Sequence, residues 1–281
     1  MLNTVRSKQV ITIAAMLALV GFLFTREVKG LVKPDEESKP IVANNATSFS
    51  IDEASAIGMA SISANLAKDI TILESVYKNA SQSELLPQAK QLAQKWDDVE
   101  QAIPSAMYLE VVANKEPILA NWLTAGTRFL KAFDNSIDSL MRSTLLQKAN
   151  TSFTKAMALD SNNMEAKTGL GITIVNGMGA PMQGIMMLRD VVAREPKNLK
   201  ANMSLGVFAI KSGQFDKAII RFNTIIETIE KTPDAYFYLG RAYESLGNKT
   251  EAINAYLNSK KLAANPTFSN FIDKKVAELK N

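Results

Sequence analysis

The sequence predicts an all-α protein in which a stack of antiparallel helical hairpins follows a single N-terminal transmembrane helix. A leucine–glycine pair recurs at 170–171, 205–206 and 239–240, so the glycines lie 35 and 34 residues apart. Such a fixed period is typical of helical repeat arrays. The segment Gln9–Thr25 contains no charged residue. Cysteine and histidine are both absent, which excludes thiol or imidazole catalysis and zinc sites built on those residues.

The N-terminal segment is predicted to be an uncleaved, single-pass anchor. Gln9–Thr25 has 17 residues between Lys8 and Arg26, which is at the short end of what crosses a hydrocarbon core of about 30 Å. A cleaved signal peptide is an alternative, but only a poor small-x-small site follows the apolar run. A second alternative is that this segment forms a buried helix of the soluble body. With residues 1–8 as a cytoplasmic tail, we expect the body on the periplasmic or extracytoplasmic side of the cytoplasmic membrane.

The charge distribution argues against nucleic acid as a partner. Residues 1–33 hold all four surplus positive charges, and the chain is neutral from Pro34 onward. A protein that binds nucleic acid needs a basic face to neutralise phosphates. Residues 26–51 combine prolines, an acidic cluster and an Asn/Thr/Ser run, and we therefore expect them to form a tether.

The repeated positions have a physical interpretation. A glycine in the first helix and an alanine or glycine in the second let two helices approach closely, and a large side chain four residues later fills the adjacent space. Gly213 and Gly247 are expected to end first helices in a left-handed conformation. The residues predicted to pack the hairpins are Gly126, Ala149, Phe153, Gly171, Gly184, Gly206, Ala218, Phe222, Gly240, Ala252 and Tyr256.

This pattern resembles the tetratricopeptide repeat, a 34-residue helix–turn–helix unit, and the resemblance implies a right-handed superhelix. The unit that contains Gly126 carries about eleven extra residues, around 134–146. We expect one long helix over Asp52–Ala80, with Ser50 or Asp52 near its N-terminus. The predicted body divides into an N-terminal helical region with a degenerate hairpin at 52–116, repeats at 117–266 and a capping helix at 267–281.

The resemblance also implies a groove, because the first helix of each unit lines the inner surface where family members usually bind peptides. These positions are mainly apolar, which favours an amphipathic helix or a hydrophobic peptide over an acidic C-terminal carboxylate. Tighter packing between units, without a ligand, is the alternative. The candidate groove residues are Thr168, Ile172, Val175, Met203, Val207, Ile210, Phe237, Arg241 and Glu244.

A methionine-rich stretch, Gly177–Met187, interrupts one hairpin. Its four methionines at 178, 182, 186 and 187 are interpreted as core packing at a remodelled turn. An adaptable binding surface is the alternative, and a copper site is a weaker one because no histidine or cysteine supports it.

No cofactor, metal or enzymatic site is expected. Gly179 and Gly184 have phosphate-loop spacing, but the lysine and hydroxyl that complete such a loop are missing. Asp97, Asp98 and Glu100 are interpreted as the solvated face of a helix rather than an acid–base site.

The predicted function is a membrane-anchored scaffold or adaptor that binds a protein or peptide partner. In layout the chain resembles single-pass, membrane-anchored bacterial repeat proteins that serve cell-envelope assembly. The alternative is a self-associating structural protein of the envelope. A homo-oligomer of that kind would use the long helix at 52–80 and the opposite charges of the two halves, −5 over 34–149 and +5 over 150–281.

Overall fold

The computed structural model describes residues 49–280, and this part of the chain is helical without a β-strand. The predicted anchor at 9–25 and most of the predicted tether lie outside the described residues. Within residues 49–280, none of the helices combines the length and the apolar character needed to cross a membrane.

Thirteen α-helices follow one another within residues 49–280. They are α1 (Ile51–Met59), α2 (Ala64–Lys78), α3 (Leu85–Asp98), α4 (Ala102–Lys115), α5 (Leu119–Asn135), α6 (Ser139–Leu159), α7 (Met164–Thr173), α8 (Pro181–Arg194), α9 (Leu199–Lys211), α10 (Phe215–Thr224), α11 (Pro233–Ser245), α12 (Lys249–Leu262) and α13 (Pro266–Lys280). Helices α7 and α10 each continue into a π-helical turn, at Ile174–Met178 and Ile225–Ile229.

The helices pack as a linear stack of hairpins. Helices α3 and α4, α5 and α6, α7 and α8, α9 and α10, and α11 and α12 form contacting pairs, and each pair also contacts the next along the chain. Every unit therefore rests mainly on its sequence neighbours, as in a helical solenoid. This succession confirms the predicted all-α, solenoid-like stack.

The prediction of one helix over Asp52–Ala80 is wrong. Helix α1 ends at Met59, α2 begins at Ala64, and Ser63 between them is extended. Helix α1 packs on α4, whereas α2 packs on α3. The break allows α1 and α2 to dock mainly on different neighbours. Gly58 at the end of α1 lies against the Trp96 ring, where a Cβ would come within 2.6 Å of a ring carbon.

Ser50 is the residue that caps α1. Its hydroxyl accepts a hydrogen bond from the backbone N–H of Glu53 at 3.2 Å, and its own N–H donates to the Glu53 carboxylate at 2.7 Å. This reciprocal pair is a capping box, which satisfies two N–H groups that the helix leaves without partners.

Glycines lie where paired helices cross. A Cβ on Gly126 would come within 2.9 Å of the Phe153 ring, and one on Gly206 within 2.7 Å of the Phe222 ring. Both rings are buried. The second-helix alanines of these hairpins and of the last one, at positions 149, 218 and 252, are buried completely. The hairpins are therefore held by a ring that fills the space beside a glycine.

Phe153 reaches a second glycine that the repeat pattern did not single out. A Cβ on Gly169 would lie 2.3–2.5 Å from three carbons of the Phe153 ring. Gly169 belongs to α7 and Gly126 to α5. The Phe153 ring of α6 therefore packs against a glycine on each of the two neighbouring helices. In the next hairpin, Gly171 and Gly184 approach so closely that a Cβ on Gly184 would be 2.7 Å from the Gly171 carbonyl oxygen.

The turns inside the last two hairpins require glycine. Gly213 and Gly247 have φ values of +72° and +78°, in the left-handed region that other residues adopt only at a cost. The hairpin of α5 and α6 is longer than these, with helices of 17 and 21 residues. The extra residues around 134–146 therefore extend that hairpin.

Candidate functional site

The first helices of three successive units, α7, α9 and α11, carry the nine candidate groove residues, and we call their side chains the first-helix face. Four apolar members remain half-buried: Ile172 and Val175 from α7 and its π-turn, and Met203 and Val207 from α9. Helices α7 and α9 contact each other. The first-helix face therefore keeps partly accessible apolar surface on two neighbouring units.

Two of the candidate groove residues are buried in internal contacts of the fold. Thr168 is 2% exposed, and its hydroxyl donates to the backbone oxygen of Met164 at 2.7 Å. Ile210 is buried in a cluster with Phe222 and Ile225. Neither side chain offers much area to a ligand.

The last unit's face is covered in part by α13. The ring of Phe237 lies 5.9 Å from that of Phe268 and 6.2 Å from that of Phe271, both from α13. These separations suit edge-on and tilted aromatic contacts. Helix α13 therefore takes the place that a ligand or a further repeat would occupy beside Phe237.

Glu244 is tied to the same helix. Its carboxylate forms an ion pair with Lys275 at 2.7 Å and accepts a hydrogen bond from the Tyr256 hydroxyl at 2.6 Å. Burial by itself raises the pKa of Glu244, but the bonds from Lys275 and Tyr256 and nearby positive charge outweigh it and hold that pKa below its usual value. Burial, and then the hydrogen bond to Glu244, raise the pKa of Tyr256.

Arg241 is the remaining candidate of that unit. Its side chain is exposed, with the guanidinium carbon 5.9 Å from the centre of the Tyr238 ring. It is the member of the first-helix face in this unit that α13 leaves most accessible.

A cavity of about 630 Å³ lies elsewhere, between the second helices α8 and α10, with α9 as its floor. We call it the second-helix pocket. Its apolar lining consists of Met182, Ile185, Leu205, Phe208, Ala209 and Ile220. Its polar lining consists of Arg189, Gln214, Lys217, Arg221 and Thr224. None of the nine groove candidates lines it.

Two of the four methionines lie on the outer surface beside this cavity rather than in the core. Met182 and Met186 are each 65% exposed, so the interpretation of the methionine stretch as core packing is wrong for both. Pro181 begins α8, and the first three residues of this helix are exposed. Met178 and Met187 are half-buried.

Sequence reasoning missed the second-helix pocket because it stopped at the buried side of each second helix. Ala218 and Phe222 identify the buried side of α10, and Ile220 lies off it, 67% exposed. A large apolar residue at an outward position of a second helix is a sequence signal that could have indicated an exposed binding surface. Arg189 and Lys217, both exposed, gave no such signal, since isolated surface cations are common.

Two of the positions considered for catalysis have structural roles. Gly184 is part of the helix crossing with Gly171, and Asp97 is held by Arg128 at 2.6 Å. Among residues 49–280, acidic residues do not gather in a group of three or more that could hold a metal ion.

Comparisons with known proteins agree with this architecture. A tetratricopeptide repeat family model matches residues 233–266, which are α11, α12 and the turn to α13. Anaphase-promoting complex subunit 3 of Dictyostelium discoideum is 29% identical over 118 residues. That match spans 42% of this chain but only 12% of the relative.

Solved structures share the fold at low sequence identity. A tetratricopeptide repeat protein from Parabacteroides merdae aligns with a TM-score of 0.56 at 10% identity, over 84% of this chain and 86% of that one. PilW, a type IV pilus biogenesis factor, gives 0.54 at 17% identity, over 71% and 87%. TTC0263 from Thermus thermophilus gives 0.52 at 16% identity, over 71% and 98%. The chain therefore carries a match to the tetratricopeptide repeat at residues 233–266, and its stack of helical hairpins is similar in fold to solved tetratricopeptide-repeat proteins.

Proposed function

We propose that this protein is a membrane-anchored scaffold that binds a protein partner through the first-helix face and acts in cell-envelope assembly. The observation that carries the proposal is the set of half-buried apolar side chains at Ile172, Val175, Met203 and Val207. They lie on first helices that contact each other. A single ligand could therefore contact both units.

The chemistry of this face favours an apolar ligand. Removing apolar surface from water contributes about 25 cal/mol per Å², and aliphatic and thioether side chains offer no hydrogen bonds that would require a polar partner. An amphipathic helix that lays its apolar side in a groove meets these conditions. Met203 adds a flexible side chain that can adapt to the ligand's shape.

The membrane attachment rests on the sequence. Gln9–Thr25 is free of charge and is bracketed by Lys8 and Arg26. An anchored body on the periplasmic or extracytoplasmic side would present the first-helix face to envelope proteins. PilW is a type IV pilus biogenesis factor, and a biogenesis role of that kind is consistent with envelope assembly, although the shared feature is the fold alone.

A pull-down tests the binding face. The full-length chain is crosslinked in cells and recovered from detergent-solubilised membranes, as wild type and as Met203→Glu/Val207→Glu. We expect one or a few partners with the wild type and a loss of roughly tenfold or more with the variant, because buried carboxylates must lose their hydration. Lys200→Glu, an exposed change on the same helix, is the control.

Circular dichroism of the same samples separates binding from folding. The proposal requires the double variant to keep the helical content of the wild type. Equal capture by a folded double variant would show that the first-helix face is not the binding surface.

Fractionation tests the anchor. We expect the full-length chain to stay in the membrane pellet after alkaline carbonate extraction, and residues 34–281 to remain in the supernatant. Recovery of the full-length chain in the supernatant would contradict the anchor.

A further inference from the structure

The second-helix pocket supports a second binding activity that goes beyond the proposed function. We propose that it binds an acidic segment of a partner protein, with a bulky apolar side chain seated between α8 and α10 and flanking carboxylates held by Arg189, Lys217 and Arg221.

The shape of the pocket suits a side chain from a partner. Its volume of about 630 Å³ falls in the range of about 300–1,000 Å³ that is typical of ligand sites. Leu205 and Phe208 of α9 form an apolar floor, and Ile185 and Ile220 stand on the two sides. An apolar group that enters there would be removed from water on three sides.

The charged side chains that line the pocket are all of one sign. Arg189, Lys217 and Arg221 line it, and among residues 49–280 none of the three has a carboxylate within 4 Å. The titratable side chains that line it are therefore all cationic. A carboxylate from outside would be attracted here without first displacing an internal partner.

Arg221 is held in position by a hydrogen bond to a buried side chain. Its guanidinium donates to the Asn202 side-chain oxygen at 2.7 Å. Asn202 is itself buried and held by two backbone oxygens, those of Pro196 and Asn198, at 3.0 and 2.9 Å. Burial lowers the pKa of Arg221, and the positive charge of Arg189 lowers it further. A carboxylate beside both guanidiniums would offset that repulsion through charge-assisted hydrogen bonds.

The apolar surface extends beyond the cavity, which favours a polypeptide over a small amphiphile. Met182, Met186 and Ile220 are each about two-thirds exposed on the outer side of α8 and α10. Met186 is not part of the lining. Large exposed apolar side chains beside cationic and polar ones are typical of protein interaction sites. An acidic segment with several apolar residues would cover it, whereas one alkyl chain in the cavity would not.

Selection from a random library identifies the preferred ligand directly. Phage-displayed 16-residue peptides are selected on the full-length chain in detergent micelles. We expect the enriched peptides to combine net negative charge with a bulky apolar residue. Their affinity should fall as salt is raised, since partly exposed charges are screened. Absence of enrichment, or enrichment of neutral or basic peptides, would overturn the proposal.

Variants locate the binding site of those peptides. Arg189→Glu/Lys217→Glu replaces two exposed side chains and should weaken binding by about tenfold or more. Ile220→Ser, also at an exposed position, should weaken it without a change in charge. Lys197→Glu, exposed after the end of α8, should have no effect. Unchanged affinity for both pocket variants would overturn the proposal.

Hydrogen exchange distinguishes this surface from the first-helix face. Peptide binding should slow exchange in α8 and α10, and the Met203→Glu/Val207→Glu variant should bind the peptide as the wild type does. Loss of binding in that variant alone would support the proposed function and overturn the pocket. Protection of α8 and α10 by decanoate, with no peptide bound, would also overturn it.

Discussion

Gly240 of α11 lies directly against the ring of Tyr256 of α12, so that a Cβ on the glycine would come within 2.8 Å of the ring. The Tyr256 hydroxyl in turn donates to Glu244, which is paired with Lys275 of α13. One close approach of two helices is thus connected to the docking of the third. The last repeat and the capping helix should respond together when either contact is changed.

Replacing Gly240 with leucine should destabilise the last repeat. Because Tyr256 is fully buried, it cannot move aside without opening the core, and overpacking of this kind costs about 1–3 kcal/mol or more. We expect a lower midpoint in thermal unfolding followed by circular dichroism. Ser245→Leu, at an exposed position of the same helix, is the control. An unchanged midpoint for Gly240→Leu would mean that the contact is not tight.

Replacing Phe153 with alanine should lower the free energy of unfolding more than Gly240→Leu does. The ring fills the space between Gly126 and Gly169 and is 1% exposed. A Phe→Ala change in a core typically costs about 3–5 kcal/mol, because small neighbours cannot fill the cavity. Phe271→Ala, which removes a half-exposed ring, should cost clearly less in urea unfolding. Equal losses for the two variants would contradict the assigned packing.

The turn at Gly213 should discriminate between residue types. Its φ of +72° costs an ordinary residue roughly 1–2 kcal/mol, whereas asparagine tolerates the left-handed region. Nothing lies within 4 Å of a Cβ built there, so sterics with other residues do not contribute. We expect Gly213→Ala to be less stable than Gly213→Asn in denaturant unfolding. The reverse order would mean that the turn rearranges.

The Glu244 interactions should make stability depend on pH. A carboxyl whose pKa is lowered on folding adds stability that is fully present above the ordinary glutamate pKa of 4.5 and is lost as the pH falls through the lower, folded value. We expect Glu244→Gln to flatten the decline of the unfolding free energy below about pH 4.5.

The control for that experiment is Glu251→Gln, an exposed glutamate of α12. This variant should keep the wild-type dependence on pH. A Glu244→Gln profile that is parallel to the wild type from neutral pH to acid would show that the carboxylate carries no net stabilisation.

The repeat architecture could be predicted because its signals are local. Residues equivalent to Gly206, Ala218 and Phe222 recur at fixed spacing in successive units. This spacing predicts a close crossing of the two helices within each unit, without reference to distant residues. The break between α1 and α2 could not be predicted in the same way. It depends on the contact of Gly58 with Trp96 and on the packing of α1 against α4, which join segments that are separated in the sequence.

The surfaces were predicted less completely than the fold. The first-helix positions follow from the repeat register, but the cover of Phe237 by Phe268 and Phe271 depends on how α13 docks. The second-helix pocket is lined by residues of α8, α9 and α10, and its shape depends on how these helices pack, which no residue spacing encodes. The recurring leucine–glycine pair includes Gly171 but not Gly169, so the pattern does not predict the contact of Gly169 with Phe153.

Site-specific crosslinking in living cells tests the central claim most directly. A photoreactive residue replaces Val207 in one variant of the full-length chain, and in a second variant it replaces Lys200, which is exposed on the same helix. The account predicts crosslinks to one or a few other proteins from position 207, and few or none from position 200. Crosslinks from position 207 only to copies of this chain, or none at all, would contradict a partner-binding role for the first-helix face.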